Sequence, residues 1–190
     1  MPRNQTLKKV GIASVIMMAS VFLSRIMGVF REMAIAGMGG IDPAVDAYQV
    51  AFIIPEILNH VAATGFLSIT FIPIFTGYLT RGEEEEGFRV FSIILNTAGA
   101  GLVVLIIAGM ILAPQLVALF SPGLQGTPAF DLAVKMTRIV IPAQFFFFAG
   151  GLWMAVLFAR ENFFIPALAP LIYNLSIIGF GLALGPVLGM

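Results

Sequence analysis

Apolar residues run almost unbroken from Val10 to Met38, and inside that run sits Ser24-Arg25-Ile26-Met27-Gly28-Val29-Phe30-Arg31-Glu32. A membrane span takes about 20 residues at 1.5 Å rise each, so the run is long enough to cross a bilayer. A charge in mid-span costs on the order of 3 kcal/mol or more and is kept where it faces a polar cavity. Two arrangements accommodate these charges. In one, the helix ends at Leu23 and the arginines reach the headgroups along apolar stems. In the other, the helix continues and lines a cavity in which the arginines meet an anion. Apolar sequence resumes from Met33 to Gly37, which favours the second.

Composition sets the class. The 190 residues are 59% hydrophobic and only 11% charged, unlike a soluble domain of this length. The reading is an all-α, polytopic transmembrane helical bundle. A membrane β-barrel would alternate apolar and polar residues, and these runs do not. Net charge is zero, which excludes the basic footprint of a nucleic-acid binder. With no cysteine there is no disulfide and no thiolate chemistry. The first apolar run follows Lys8 and Lys9 but is too long for a signal-peptide core and lacks a clean cleavage site, so it is expected to stay as the first helix.

Breakers divide the chain into five expected spans, at about 10–38, 46–79, 88–113, 129–159 and 164–185. Gly37, Gly39, Gly40 and Pro43 end the first. Asp46 suits the N-terminus of the second, which is too long for one straight span and is expected to bend or break at Pro55, Gly65 and Pro73. A polar loop holds Glu83 to Glu86. Pro114, Pro122, Gly123, Gly126 and Pro128 mark an irregular connection, Pro142 a kink, and Arg160-Glu161-Asn162 a tight turn. Arg3, Lys8, Lys9, Arg81, Arg89 and Arg160 fall at alternate loops, whereas the loops after the first and third spans carry no Lys or Arg. The expected N-terminus is therefore cytoplasmic.

Helical spacing puts Ser24, Gly28 and Arg31 on one face, with Arg25 and Glu32 on an adjoining one. The guanidinium fork donates two hydrogen bonds and keeps its charge, which suits phosphate. The plainer alternative is that Glu32 or Asp46 neutralises an arginine. Gly28 admits a neighbouring backbone or a bend. Asp131, Lys135 and Arg138 form one stripe, either the polar end of a helix or, through Lys135 and Arg138, an extension of a basic cavity. Glu56, Asn59, His60 and Thr64 lie in the bent middle of the second span. A single histidine without cysteine makes a metal site improbable, and no cofactor motif is present. No nucleophile-and-base pair, GxGD or Walker motif occurs, so the chain reads as a non-enzyme.

At these residues the chain resembles the MurJ (MviN) family of lipid II flippases, within the multidrug/oligosaccharidyl-lipid/polysaccharide exporter superfamily. The resemblance rests on Ser24-Arg25-x-x-Gly28-x-x-Arg31-Glu32, then Asp46-Ala47-Tyr48-x-Val50-Ala51-Phe52-x-x-Pro55, Gly65-Phe66-Leu67-Ser68, Phe71-Ile72-Pro73 and Arg138-Ile139-x-x-Pro142. It ends with Asn162-Phe163-x-Ile165-Pro166-Ala167-x-Ala169-Pro170 and Asn174. It implies two helical lobes around a V-shaped cavity, of which this chain matches the first five helices, part of the N-terminal lobe. It implies that Arg25 and Arg31 meet a lipid pyrophosphate and that Asp46 is functionally important. Family members often carry an arginine where this chain has Asn59, followed by His60, a departure that bears on the substrate site.

The resulting expectation is a multi-pass protein of the bacterial cytoplasmic (inner) membrane. It would move a polyprenyl-pyrophosphate-linked saccharide, most simply lipid II, by alternating access. Substrate contacts fall to Arg25, Arg31, Asp46, Ser24, Asn59 and His60, and hinges to Gly28, Pro55 and Gly65. The expected partners are that lipid, the surrounding membrane lipids, and a second lobe or a further copy of the chain. A polysaccharide-lipid or drug exporter and a non-transporting membrane scaffold are the alternatives, and paired arginines count against an exporter of cationic drugs.

Overall fold

In the computed structural model the described backbone covers residues 3–39, 43–63 and 70–188, and the described side chains 15–37, 45–57 and 70–183. Gly65 and Ser68 lie outside the described residues. Among those described, every regular element is helical. The chain divides into two compact units, Met1–Ile41 with Glu161–Met190, and Asp42–Arg160.

The first unit pairs α1 (Arg3–Gly39) with α8 (Phe164–Leu188), the last helix of the chain. Helix α1 does not end at Leu23. It runs for 37 residues, about 55 Å at 1.5 Å per residue, because nothing from Arg3 to Gly39 forbids helical backbone. It starts before the expected residue 10, since the basic tail contains no proline or other breaker after Pro2. The two helices run in the same direction. Ser20 of α1 donates its hydroxyl hydrogen bond to the Ala167 carbonyl, and one turn on Ser24 meets Asn174.

The second unit holds α2 (Pro43–Ala63), α3 (Ile72–Arg81), α4 (Glu84–Ile111), α5 (Ala113–Phe120), α6 (Pro128–Val140) and α7 (Ala143–Ala159). Several boundaries differ from expectation for local reasons. Pro55 lies inside α2, fully buried, and helical backbone continues on either side of it. Pro73 instead opens α3, where the missing N–H has no helical partner to lose. Helix α4 starts four residues earlier than residue 88, since Glu84, Glu85 and Glu86 favour the positive end of the helix dipole. Pro114 starts α5 within the connection expected to be irregular. Pro142 divides the predicted 129–159 helix into α6 and α7, joined by tight bonds from the Gln144 N–H to the Ile141 carbonyl (3.0 Å) and from the Phe145 N–H to the Pro142 carbonyl (3.2 Å).

Three apolar clusters hold this unit together. Phe71, Phe75, Phe91 and Leu152 join α3, α4 and α7. Ala47, Ala113, Val117 and Ala133 join α2, α5 and α6. Ile54, Leu102, Ile106, Ile141 and Phe148 join α2 and α4 to the break between α6 and α7. Glycine is required where α3 meets α4. A Cβ on Gly87 would stand 3.3 Å from both Phe75 Cε2 and Tyr78 Cβ. Gly82, at φ 73°, closes α3 in a left-handed cap.

Outward faces are apolar to a degree water would not tolerate. Ile139, Phe146 and Phe180 are 76%, 75% and 68% exposed. Among the described residues, Glu84–Ile111, Pro128–Ala159 and Phe164–Ala183 are each long and apolar enough to cross a membrane. The protein is an all-α helical membrane bundle.

Candidate functional site

Helix α1 presents its charged stretch without interruption. Arg25 is exposed and lines a shallow cavity of about 380 Å³ together with Met17, Met18, Val21 and Phe22. Among the described residues no carboxylate lies within 4 Å of its guanidinium. Arg31 is half-buried and ion-paired with the adjacent Glu32, with Nη2 2.6 Å from Oε1. The neutralising role considered for Glu32 is therefore realised at Arg31. Glu32 remains more than half exposed.

Ser24 has a structural partner. The Asn174 side-chain amide donates to the Ser24 hydroxyl and to the Ser24 carbonyl, each at 3.3 Å, and to the Pro170 carbonyl at 3.0 Å. Asn174 and Ser20 are both buried. They form a polar seam between α1 and α8 that the sequence reading did not place. The available signal was Ser20-x-x-x-Ser24-x-x-x-Gly28, a stripe of small residues that lets two helices approach. A Cβ on Gly28 would meet no atom within 4 Å among the described residues.

In the second unit, Asp46 stands exposed in the first turn of α2. It lines a cavity of about 530 Å³ with Gln49, Val50 and Ile53 of the same helix and Ser121, Gly123 and Leu124 from the turn after α5. Gln49 and Ser121 were not singled out from sequence. Asn59 and His60 fall on the helical backbone of α2, but their side chains lie outside the described residues. Lys135 and Arg138 are both exposed on α6. The Arg138 Nε donates to the Met110 carbonyl (3.0 Å), so this cation sits on the C-terminal turn of α4, where the helix dipole favours it. That bond fits the polar helix end better than a basic cavity.

The loops at the opposite end of this unit are tied by charge. Arg81 donates to Glu83 (2.8 Å) and lies over the Tyr78 ring. The hydrogen bond from Arg81 to Glu83, then the attraction of that carboxylate, raises the guanidinium pKa above its ordinary value. Arg160 pairs with Glu84 and covers the Phe88 ring at 5.5 Å. Among the described residues no three His, Cys, Asp or Glu side chains gather as a metal site would need.

Comparison with known proteins shows what the chain is similar to. The family profile described as lipid II flippase MurJ matches residues 35–189. A probable lipid II flippase MurJ of Buchnera aphidicola subsp. Schizaphis graminum is 32% identical over 162 residues, covering 83% of this chain and 31% of that protein. The lipid II flippase MurJ of Thermosipho africanus is 30% identical over 166 residues, covering 87% and 34%. That of Burkholderia cenocepacia is 32% identical over 165 residues, covering 86% and 32%. The chain spans about a third of the length of the curated relatives it matches.

Proposed function

Because this chain belongs to the MurJ lipid II flippase family, we propose that it supplies part of the N-terminal lobe of a flippase for a polyprenyl-pyrophosphate-linked saccharide, lipid II. The membrane would be the bacterial inner membrane, and the movement alternating access of two lobes around a central cavity. The head group would leave water for a cavity in which fixed guanidinium donors replace its hydration shell, while the prenyl tail stays among lipids. The observation that carries this reading is Arg25. It is a permanently charged residue on a helix of membrane length, flanked by Met18, Val21 and Phe22, with no carboxylate in ion-pair range among the described residues. A cation in such surroundings calls for an anion, and pyrophosphate matches its fork. Arg31, already paired with Glu32, would contribute more weakly until that pair opens.

Transport rather than chemistry is the role this set of residues supports. Asp46 and Asn59 would extend the substrate path along α2, and Gly28, Pro55 and Gly65 are the candidate points of bending.

The test uses the protein that carries this chain, expressed in cells depleted of their own flippase. Arg25→Ala should abolish rescue of growth and lipid II export at unchanged membrane abundance. Arg25→Lys should restore export only in part, since charge returns without the fork. Full activity of Arg25→Ala would remove the pyrophosphate role.

A further inference from the structure

The substrate path assigned to Asp46 has a cavity beside it that holds no arginine, and we propose that it is a saccharide pocket for the neutral sugar part of the transported head group, a step that rests on the flippase reading. Its lining offers a carboxylate (Asp46), a carboxamide (Gln49) and a hydroxyl (Ser121) together with the apolar side chains of Val50, Ile53 and Leu124, and Gly123. Sugars present the complementary mixture. Their hydroxyl and amide N–H groups donate to carboxylate oxygen and trade bonds with a carboxamide, and the C–H faces of the ring cover aliphatic side chains. No lysine or arginine lines the cavity, so it is not built for phosphate. A hard cation takes about six to eight oxygens, and a half-apolar wall does not supply that shell. The volume of about 530 Å³ lies in the range of roughly 300–1,000 Å³ usual for small-molecule sites.

The pocket is formed in advance. The Ser121 N–H donates to the Val117 carbonyl (2.9 Å), and the Leu124 N–H to the Ser121 carbonyl (3.1 Å). The Thr127 hydroxyl donates to the Leu124 carbonyl (2.7 Å) and the Gln125 side-chain amide to the Ala118 carbonyl (3.3 Å). Leu124 then packs on the cluster of Ala47, Val117 and Ala133, which joins the α2 wall to the α5 turn. Both walls are therefore held by one packed core, and binding needs little ordering. Both also border the loops that lack Lys and Arg, the end assigned to the outer face, where a head group would be received before release.

Gly123 provides a clean perturbation. A Cβ there meets nothing within 4 Å and its backbone is not left-handed, so Gly123→Trp adds bulk at the cavity lining without a clash at Cβ. The probe is N-acetylglucosamine, measured by saturation-transfer NMR on the purified protein that carries this chain. Transfer to the sugar ring protons is expected for the unaltered protein. It should vanish in Gly123→Trp and correspond to about tenfold weaker binding in Gln49→Ala, the equivalent of one lost hydrogen bond. Binding of inorganic pyrophosphate, which the flippase reading assigns to Arg25, should not change in either variant. No transfer to the unaltered protein, or equal transfer in both folded variants, overturns the pocket and leaves the flippase reading standing. Sodium displacing the sugar signal while shifting the Asp46 resonances would also overturn it. Sugar binding without any pyrophosphate binding would instead sink the reading at Arg25.

Discussion

The α1–α8 seam allows a quantitative test of whether polar contacts or apolar packing join these two helices. The perturbation is Asn174→Leu, combined in a double-mutant cycle with Ser24→Ala. Asn174 donates to two acceptors on Ser24, both at 3.3 Å, long for an N–H···O bond. Its third contact, to the Pro170 carbonyl, is internal to α8 and does not join the helices. Hydrogen bonds between membrane helices average about 0.6 kcal/mol and reach about 1.7. Two long ones sharing one amide should together be worth about 1 kcal/mol. Little penalty is added by an orphaned partner, because the Ser24 hydroxyl can turn back to the carbonyl of Ser20, one turn earlier. Ser24→Ala removes only the hydroxyl acceptor and leaves the carbonyl. The coupling term should therefore isolate that single bond, at about 0.6 kcal/mol. The assay is reversible unfolding in mixed micelles by SDS, followed by far-ultraviolet circular dichroism, on the protein that carries this chain. Additive single effects, with coupling indistinguishable from zero, would refute the hydroxyl contact. A loss above about 3 kcal/mol for Asn174→Leu alone would refute the estimate from the other side and point to a buried network.

Two glycines should respond in opposite ways. Gly28→Ala meets open space and should be neutral or stabilising by up to about 1 kcal/mol, whereas Gly87→Ala should cost about 1–3 kcal/mol by pushing Phe75 and Tyr78 apart, read in the same SDS titration. If Gly28 is a hinge, lipid II export by Gly28→Ala should fall with folded protein unchanged, and normal export would end that role. For orientation, a cysteine at Glu85 should resist an impermeant thiol reagent in intact cells and one at Gln125 should react, the reverse pattern refuting a cytoplasmic N-terminus.

What the sequence made legible was what apolar length and local breakers control. Membrane-length helices, the turn at Arg160-Glu161-Asn162 and the interruption at Pro142 follow from such rules. Less legible were effects in which two rules compete. Glu83 to Glu86 read as a loop by polarity, yet three of these acids enter the first turn of α4 because a helix N-terminus favours them. Pro114 read as a breaker, yet it starts α5. Partnerships across long separations were not legible at all. A lone asparagine in an apolar helix announces that it needs a hydrogen bond but not that Ser24, 150 residues away, supplies it. Likewise, Asp46 stood out by charge, whereas Gln49 and Ser121 acquire meaning only once the α5 turn is folded beside α2.

The seam also bears on how many times the chain crosses. Ser20 meets Ala167 and, one turn further along α1, Ser24 meets Asn174 one to two turns further along α8, so the two helices point the same way. If both cross the bilayer, the stretch between them must cross an odd number of times. Two segments in that stretch, Glu84–Ile111 and Pro128–Ala159, are long and apolar enough by themselves. Two crossings alone would leave α8 antiparallel to α1. If both cross, a third crossing is needed, and the remaining candidate is the stretch that holds α2 and α3. Charged and polar side chains within a span are kept where they face a polar cavity rather than lipid. On that ground we propose that the segment carrying Asp46, Asn59 and His60 crosses the membrane along a cavity, which is where a flippase would need polar side chains.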